Sequence, residues 1–546
     1  MNTVDQSMVL QSARARAHVL RPCPPGITPW LLLHCVLLFA FVANLTVGQG
    51  PPVSEPVVAD ETTEATITWL GGSGEWSAGA NWIGGVAPGA GDTAVVSSGT
   101  VTISEGTVIS VAGFTLSGGT LNGAGQLNIT GLFTWTIGTM TGTGTTHVAV
   151  GGTYSIEGGN TRVLGETRQF VTAGDGTWSS FGALSFAAGS VWENQGALAL
   201  TTTGSLSGGT FNNTVSGTVT RSGSGTSHLA GTFNNAGTVS VVSGTLQLSG
   251  NGSDTGTYNI SADAAVAMTT GARTLQSGAS IAGAAAFVQS GGTLTVTGTV
   301  PAVNYRMNGG TLNGAGQLNI TGLFTWTIGT MTGTGTTHVA VGGTYSIEGG
   351  NTRVLGETRQ FVTAGDGTWS SFGALSFAAG SVWENQGALA LTTTGSLSGG
   401  TFNNTVSGTV TRSGSGTSHI ANTFNNAGTV NVASGTLQLS GNGSDTGTYN
   451  ISADAVLLMT AGARTLQSGA SIAGAAAFVQ SGGTLTVAGN IPAVNYRMNG
   501  GTLNGAGQLN ITGLFTWTIG TMTGTGTTHV AVGGTYSIEG GNTRVL

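Results

Sequence analysis

Two Asp-Thr-Gly triplets, at Asp254 and Asp445, are the residues best suited by type to do chemistry. Two carboxylates about 3 Å apart share a proton and activate water, and two-lobed aspartic proteases take one such Asp from each lobe. Here both triplets sit inside the same phrase, GNGSDTGTYNIS, with no apolar strand leading into either. That setting reads as an Asp capping a turn. A second group, Glu157, Arg162, Glu166, Arg168, Asp175 and Glu193, supplies the mixed charge that a sugar-cleaving or sugar-binding site needs, and Trp178 and Trp192 lie close enough in sequence to stack on a ring. The simpler expectation is an exposed, ion-paired face with both tryptophans packed in the core or at an edge. His147 and His228 are isolated, with no Cys or second His at metal-ligand spacing. The Asp residues stand alone rather than in the tandem GGxGxDxUx pattern of calcium-binding solenoids. No catalytic, cofactor-binding or metal-binding residue is assigned, and no enzymatic activity is expected.

The elements that would have to position such residues are repetitive. The segment beginning GGTLNGAGQLNITGLFTWTIGTMTG at Gly118 begins again at Gly309 and at Gly500, a spacing of 191 residues both times. Residues 118–308 and 309–499 differ at eleven aligned positions, among them Leu229 with Ile420, Ser240 with Asn431 and Val266 with Leu457. Within each module, phrases such as GGTLNG, GGTFNN and GTYNIS recur about every 20 residues. Between them lie short alternations: Leu127/Ile129, Val148/Val150, Tyr154/Ile156, Leu184/Phe186, Leu198/Leu200, Val239/Val241, Leu246/Leu248 and Leu294/Val296. Period-two spacing puts those side chains on one face of a strand and Thr, Ser, Asn and Gln on the other. Gly and the pairs Asn212-Asn213 and Asn234-Asn235 are expected to supply positive-φ turn positions, with stacked Asn forming hydrogen-bonded ladders. The fold class that follows is all-β, a right-handed parallel β-helix (β-solenoid) built from 191-residue near-identical modules. Some 22 coils at about 4.8 Å each make a rod on the order of 100 Å long.

Composition agrees. Glycine contributes 97 of 546 residues and charged residues only 6%, against about 7% and about 25% in ordinary soluble domains, while 39% of the chain is hydrophobic. That is too apolar for disorder. The chain has no lysine, its formal net charge is −7, and clustered cations for a nucleic-acid partner are missing. Residues 1–48 read as a signal peptide with a long n-region: Arg14, Arg16 and Arg21 precede the apolar run Trp30 to Ala43, which is too short for a membrane span, and cleavage is expected between Ala43 and Gly50. Cys23 and Cys35 both lie in this leader, so the mature chain is free of cysteine and has no transmembrane span in this fragment. A Pro/acidic linker covers 49–65, and a Trp-containing N-terminal cap with the first coils covers 66–117. Solenoid modules 1 and 2 follow, and 500–546 is a third module that stops at the position matching Leu164, as a truncated sequence would.

Trp69, Trp76, Asn81, Trp82, Pro88, Asp92 and Thr93, spaced W-x6-W-x5-NW-x5-P-x3-DT, resemble the opening of bacterial autotransporter-like and filamentous-haemagglutinin-like surface proteins. The phrase FNNAGTVSVVSGTLQLSGNG from Phe233 is similar to their passenger β-helix repeats. The resemblance implies a secreted or cell-surface location and work as an adhesin or structural stalk, with host-cell, matrix or polysaccharide surface ligands as partners and no cofactor. Two alternatives stay open. One is a carbohydrate-binding or carbohydrate-cleaving extracellular β-helix, and the other is an ice-binding solenoid, which would need regular T-x-T files at constant coil length.

Overall fold

The computed structural model describes residues 64–546. The expected leader and most of the linker lie outside that range. Among the described residues, short strands account for nearly all regular structure, and the one helical element is a 3-10 turn at Gly79–Asn81. No helix of the described residues is long and apolar enough to cross a membrane.

Between the first and last coils of the described residues, each strand pairs in parallel with the strand one coil below and the strand one coil above; the exception to parallel pairing is an isolated antiparallel bridge, Trp69 with Trp82. About 22 coils stack in this way. A coil contains three strands, so three columns of parallel pairing run along the rod, here called faces. The first face carries Thr145–Val148, Gln169–Thr172, Val191–Asn194, Thr210–Asn213 and Thr232–Asn235. The second carries Thr153–Ile156, Asp175–Trp178, Ala197–Leu200 and Thr218–Arg221. The third carries Arg162–Leu164, Leu184–Phe186, Ser205–Ser207 and Thr226–Leu229. Coil length varies from 18 residues, Thr299 to Gln317, to 27, Thr66 to Thr93.

Alternation explains these strands. In Thr210–Asn213 the burial runs half-buried, buried, half-buried, buried, and the same pattern recurs in most strands of the array. Seven of the eight alternating pairs in the sequence have both members in the core. Val150 departs from this: the strand ends at Val148, and Val150 lies in the following corner with 85% of its surface exposed. Corners need glycine because neighbouring coils touch there. A Cβ on Gly208, where φ is 68°, would sit 2.1 Å from the carbonyl oxygen of Phe186 one coil below.

Neighbouring coils supply the burial. Aromatic rings climb the interior: Phe170 to Trp192 at 5.4 Å, Trp192 to Phe211 at 4.5 Å and Phe211 to Phe233 at 5.2 Å between centroids. Tyr345 is 2% exposed, whereas the matching Tyr536, with no coil above it among the described residues, is 71% exposed. The side chain and its local sequence are the same, so the difference is the work of the next coil. Below the array, Trp76 and Trp82 meet edge to face at 4.9 Å, and Trp76 packs on Phe114, the first inward ring of the stack, at 6.0 Å.

Candidate functional site

Polar residues also occupy inward positions, and they assemble into one buried spine on the first face. Register places Thr172, Asn194, Asn213, Asn235 and Asp254 directly above one another. The Asn194 amide donates to Asn213 Oδ1 at 2.9 Å, and Asn213 donates to Asn235 Oδ1 at 2.8 Å. Thr172 Oγ1 closes the lower end by donating to Asn194 Oδ1 at 3.3 Å. At the upper end the Asn235 backbone N–H donates to Asp254 Oδ1 at 3.0 Å. The expected Asn ladders are therefore present. Their backbone differs from the expectation: Asn212, Asn213, Asn234 and Asn235 lie on strands, and none has a positive φ. Each Asn pair puts one amide inward and one outward, and the outward Asn234 donates to Asn212 at 2.9 Å.

Asp254 is not the expected turn cap. It ends the strand Gly252–Asp254 pointing into the core, fully buried. Arg273 Nη1 donates to both of its carboxylate oxygens at 2.7 Å and to the Tyr258 hydroxyl at 3.1 Å; Nη2 donates to the Phe233 carbonyl at 3.1 Å. The guanidinium also lies over the Phe233 ring at 5.6 Å. Burial pushes the Asp254 carboxyl up, and the adjacent guanidinium pulls it back. Burial likewise pushes the Tyr258 hydroxyl far above its ordinary range. Module 2 repeats the group with Asp445, Arg464 and Tyr449. The two aspartates stand about nine coils, or about 45 Å, apart along the rod. Proton sharing between them is geometrically impossible, which removes the protease reading.

The charged neighbourhood comes apart in the same manner. Glu157, Glu166 and Asp175 are exposed and Glu193 is half-buried, but Arg162 and Arg168 are fully buried, so the expected ion-paired face does not form. Arg162 donates to the Trp135 and Asn160 carbonyls and to Ser180 Oγ, at 2.8, 2.6 and 2.6 Å. Arg168 reaches the carbonyls of Gly123 and Thr141, both at 3.2 Å, and Thr146 Oγ1 at 2.9 Å, tying together successive coils. Burial holds its guanidinium down at about 10. Arg221 is buried too, and its Nη2 donates to the Ser224 and Gly225 carbonyls at 2.9 and 3.0 Å. Trp178 and Trp192 are fully buried in the core and present no face to a sugar. His147 is half-buried on the outer first face beside Asn128 Oδ1 at 3.3 Å, and His228 meets Ser249 Oγ at 2.5 Å on the third.

These contacts make the polar interior a set of struts. Four of the five arginines in residues 118–308 point inward, and only Arg306 is exposed. Of the six acids only Asp254 is inside. The sequence does carry a signal for this: Arg162, Arg168 and Arg273 each lie two residues before an inward Leu or Phe, and Arg221 lies two after Val219. Period two places all four inside. No protein-family model, no curated protein and no solved structure matches this chain.

Proposed function

We propose that the chain is an exported, surface-displayed rod whose work is reach and multivalent contact, as adhesin or structural stalk, without catalysis. The observation that carries this reading is the unbroken interior, in which about 22 coils share one core and the buried ionisable side chains are turned to holding coils together. A right-handed wind, the sense that crossovers between parallel strands take almost always, belongs to the proposal. So do the leader at 1–48, the Trp-rich cap beginning at residue 66, and kinship with the autotransporter-like surface proteins that the Trp69 to Thr93 segment resembles. Identical outer surfaces repeated along a rod raise avidity without any new contact.

One observation favours a carbohydrate-active alternative. Glu166 and Glu357 have φ 47°, and they are the non-glycine residues of the described chain with positive φ. Such strain gathers at working sites. Binding of the purified array to cells and matrix, set beside its turnover of a polysaccharide panel, separates the readings. Adhesion without turnover supports the rod; turnover that falls in Glu166→Gln and disappears in Glu166→Gln/Glu357→Gln overturns it.

A further inference from the structure

The repeat length and the coil length do not share a common measure. Twenty-six strands separate Thr145–Val148 from its counterpart Thr336–Val339. Two of these, Tyr305–Asn313 and Leu323–Met331, bend around a corner and serve two faces each, with register shifts at Met307/Asn308 and Asn308/Thr311. A module thus holds twenty-eight strand segments, three to a coil, which is nine coils and one third. The strand pairing carries the same remainder. Going up the first face from the strand of His147, the column reaches Arg353–Leu355. The strand of His338 instead lies on the second face, in the column of Thr153–Ile156. The strand of His529 lies on the third.

The outward file Asn128, His147, Val171, Glu193, Asn212, Asn234 on the first face therefore reappears as Asn319, His338, Val362, Glu384, Asn403, Asn425 on the second. The two copies look out from different faces of the coil and stand about 45 Å apart along the axis. Chemistry narrows the partner. Each file offers amide and imidazole groups at the coil spacing and a single carboxylate. Because four of five arginines per module are inside while Glu157, Glu166, Asp175, Glu193 and Asp263 face out, the exterior is more acidic than the composition suggests and repels polyanions.

We propose that the rod presents its repeated contact file as a screw that advances one third of a turn per module, and that its partner is a neutral, hydroxyl-rich polymer that surrounds it rather than a flat surface. This rests on the contact reading of the preceding subsection. Equivalent files return to the same side only every third module, so a flat partner engages one file where a mesh engages all of them.

Two measurements on the full chain test it. In a Cys23→Ser/Cys35→Ser background, His147→Cys and His338→Cys are labelled with biotin maleimide, decorated with streptavidin and imaged as single rods. Labels on different sides, about 45 Å apart along the axis, are expected; labels on one side overturn the screw. Retention is then compared on a cross-linked dextran gel, a planar dextran film of equal ligand density, and a carboxymethyl-dextran gel. The dextran gel is expected to hold the rod at least tenfold more tightly than either. Equal or better retention on the film overturns the surrounding partner, and better retention on carboxymethyl-dextran overturns its neutrality. No retention on any of the three overturns the polymer contact itself, while the streptavidin geometry decides the screw independently.

Discussion

Replacing Asp254 with Asn removes one charge from a sealed pair and leaves Arg273 buried beside a neutral amide. Both partners are at most 1% exposed and the contacts are 2.7 Å, so water does not screen them. Breaking such a pair from one side costs about 3–5 kcal/mol. At an effective dielectric of about 20, unit charges about 4 Å apart attract by about 4 kcal/mol, which agrees. Arg273 keeps the Phe233 carbonyl and the Tyr258 hydroxyl, so the lower end, about 3 kcal/mol, is expected. A repeat array confines that loss to nearby coils, and hydrogen exchange reads it there. Amides of the strands around Phe233 to Leu275 should exchange about 150-fold faster, at about 1.4 kcal/mol per tenfold. Those around Phe424 to Leu466, held by the untouched Asp445 and Arg464, serve as the control within the same molecule. The double change Asp254→Leu/Arg273→Met, which removes both charges, should bring exchange back to within about tenfold of the parent. An acceleration below tenfold in Asp254→Asn would refute the strut.

Three more outcomes follow from the interior. Burial raises the hydroxyls of Tyr154, Tyr258, Tyr305, Tyr345, Tyr449 and Tyr496 far above their ordinary value of 10, so the fold's hold on these protons is fully present below pH 10 and is lost as pH climbs toward the folded values. Alkaline difference absorbance should show these six ionising together with unfolding rather than at pH 10. Trypsin should leave the folded array almost intact, since the chain has no lysine and most of its arginines among the described residues are buried; slow cleavage at Arg306 and Arg497, both 45% exposed, is the pattern to look for on a gel. Asn422, which replaces the Gly231 of module 1, is 2% exposed and its amide nitrogen and oxygen have no partner, so Asn422→Gly should stabilise the array by about 1–3 kcal/mol in urea unfolding.

Much of the architecture could be read from residue order. The apolar pairs, the glycine punctuation and the 191-residue echo lead to stacked parallel coils, and that is what forms. Inward polar residues were harder to see, for a physical reason. Composition treats Asn and Arg as turn or surface residues. Asn213 and Arg273 nevertheless hold inward positions because the coil above or below supplies a partner that no local window contains. Asp254 shows the same blindness: its turn-like triplet is local, while Arg273 lies 19 residues away along the chain. Val150 failed in the opposite direction, since two valines at period two cannot tell a strand from the corner that ends it.

The corner-turning strands Tyr305–Asn313 and Leu323–Met331 also bear on how such a chain can change length. Inserting a module rotates everything downstream by one wall of the prism, yet Trp326 remains as deeply buried as Trp135 on its neighbouring wall. The three walls are thus interchangeable to the residues that line them. Unequal recombination between copies can add or delete whole modules with no phase to restore, and related alleles should differ in copy number while each junction stays seamless.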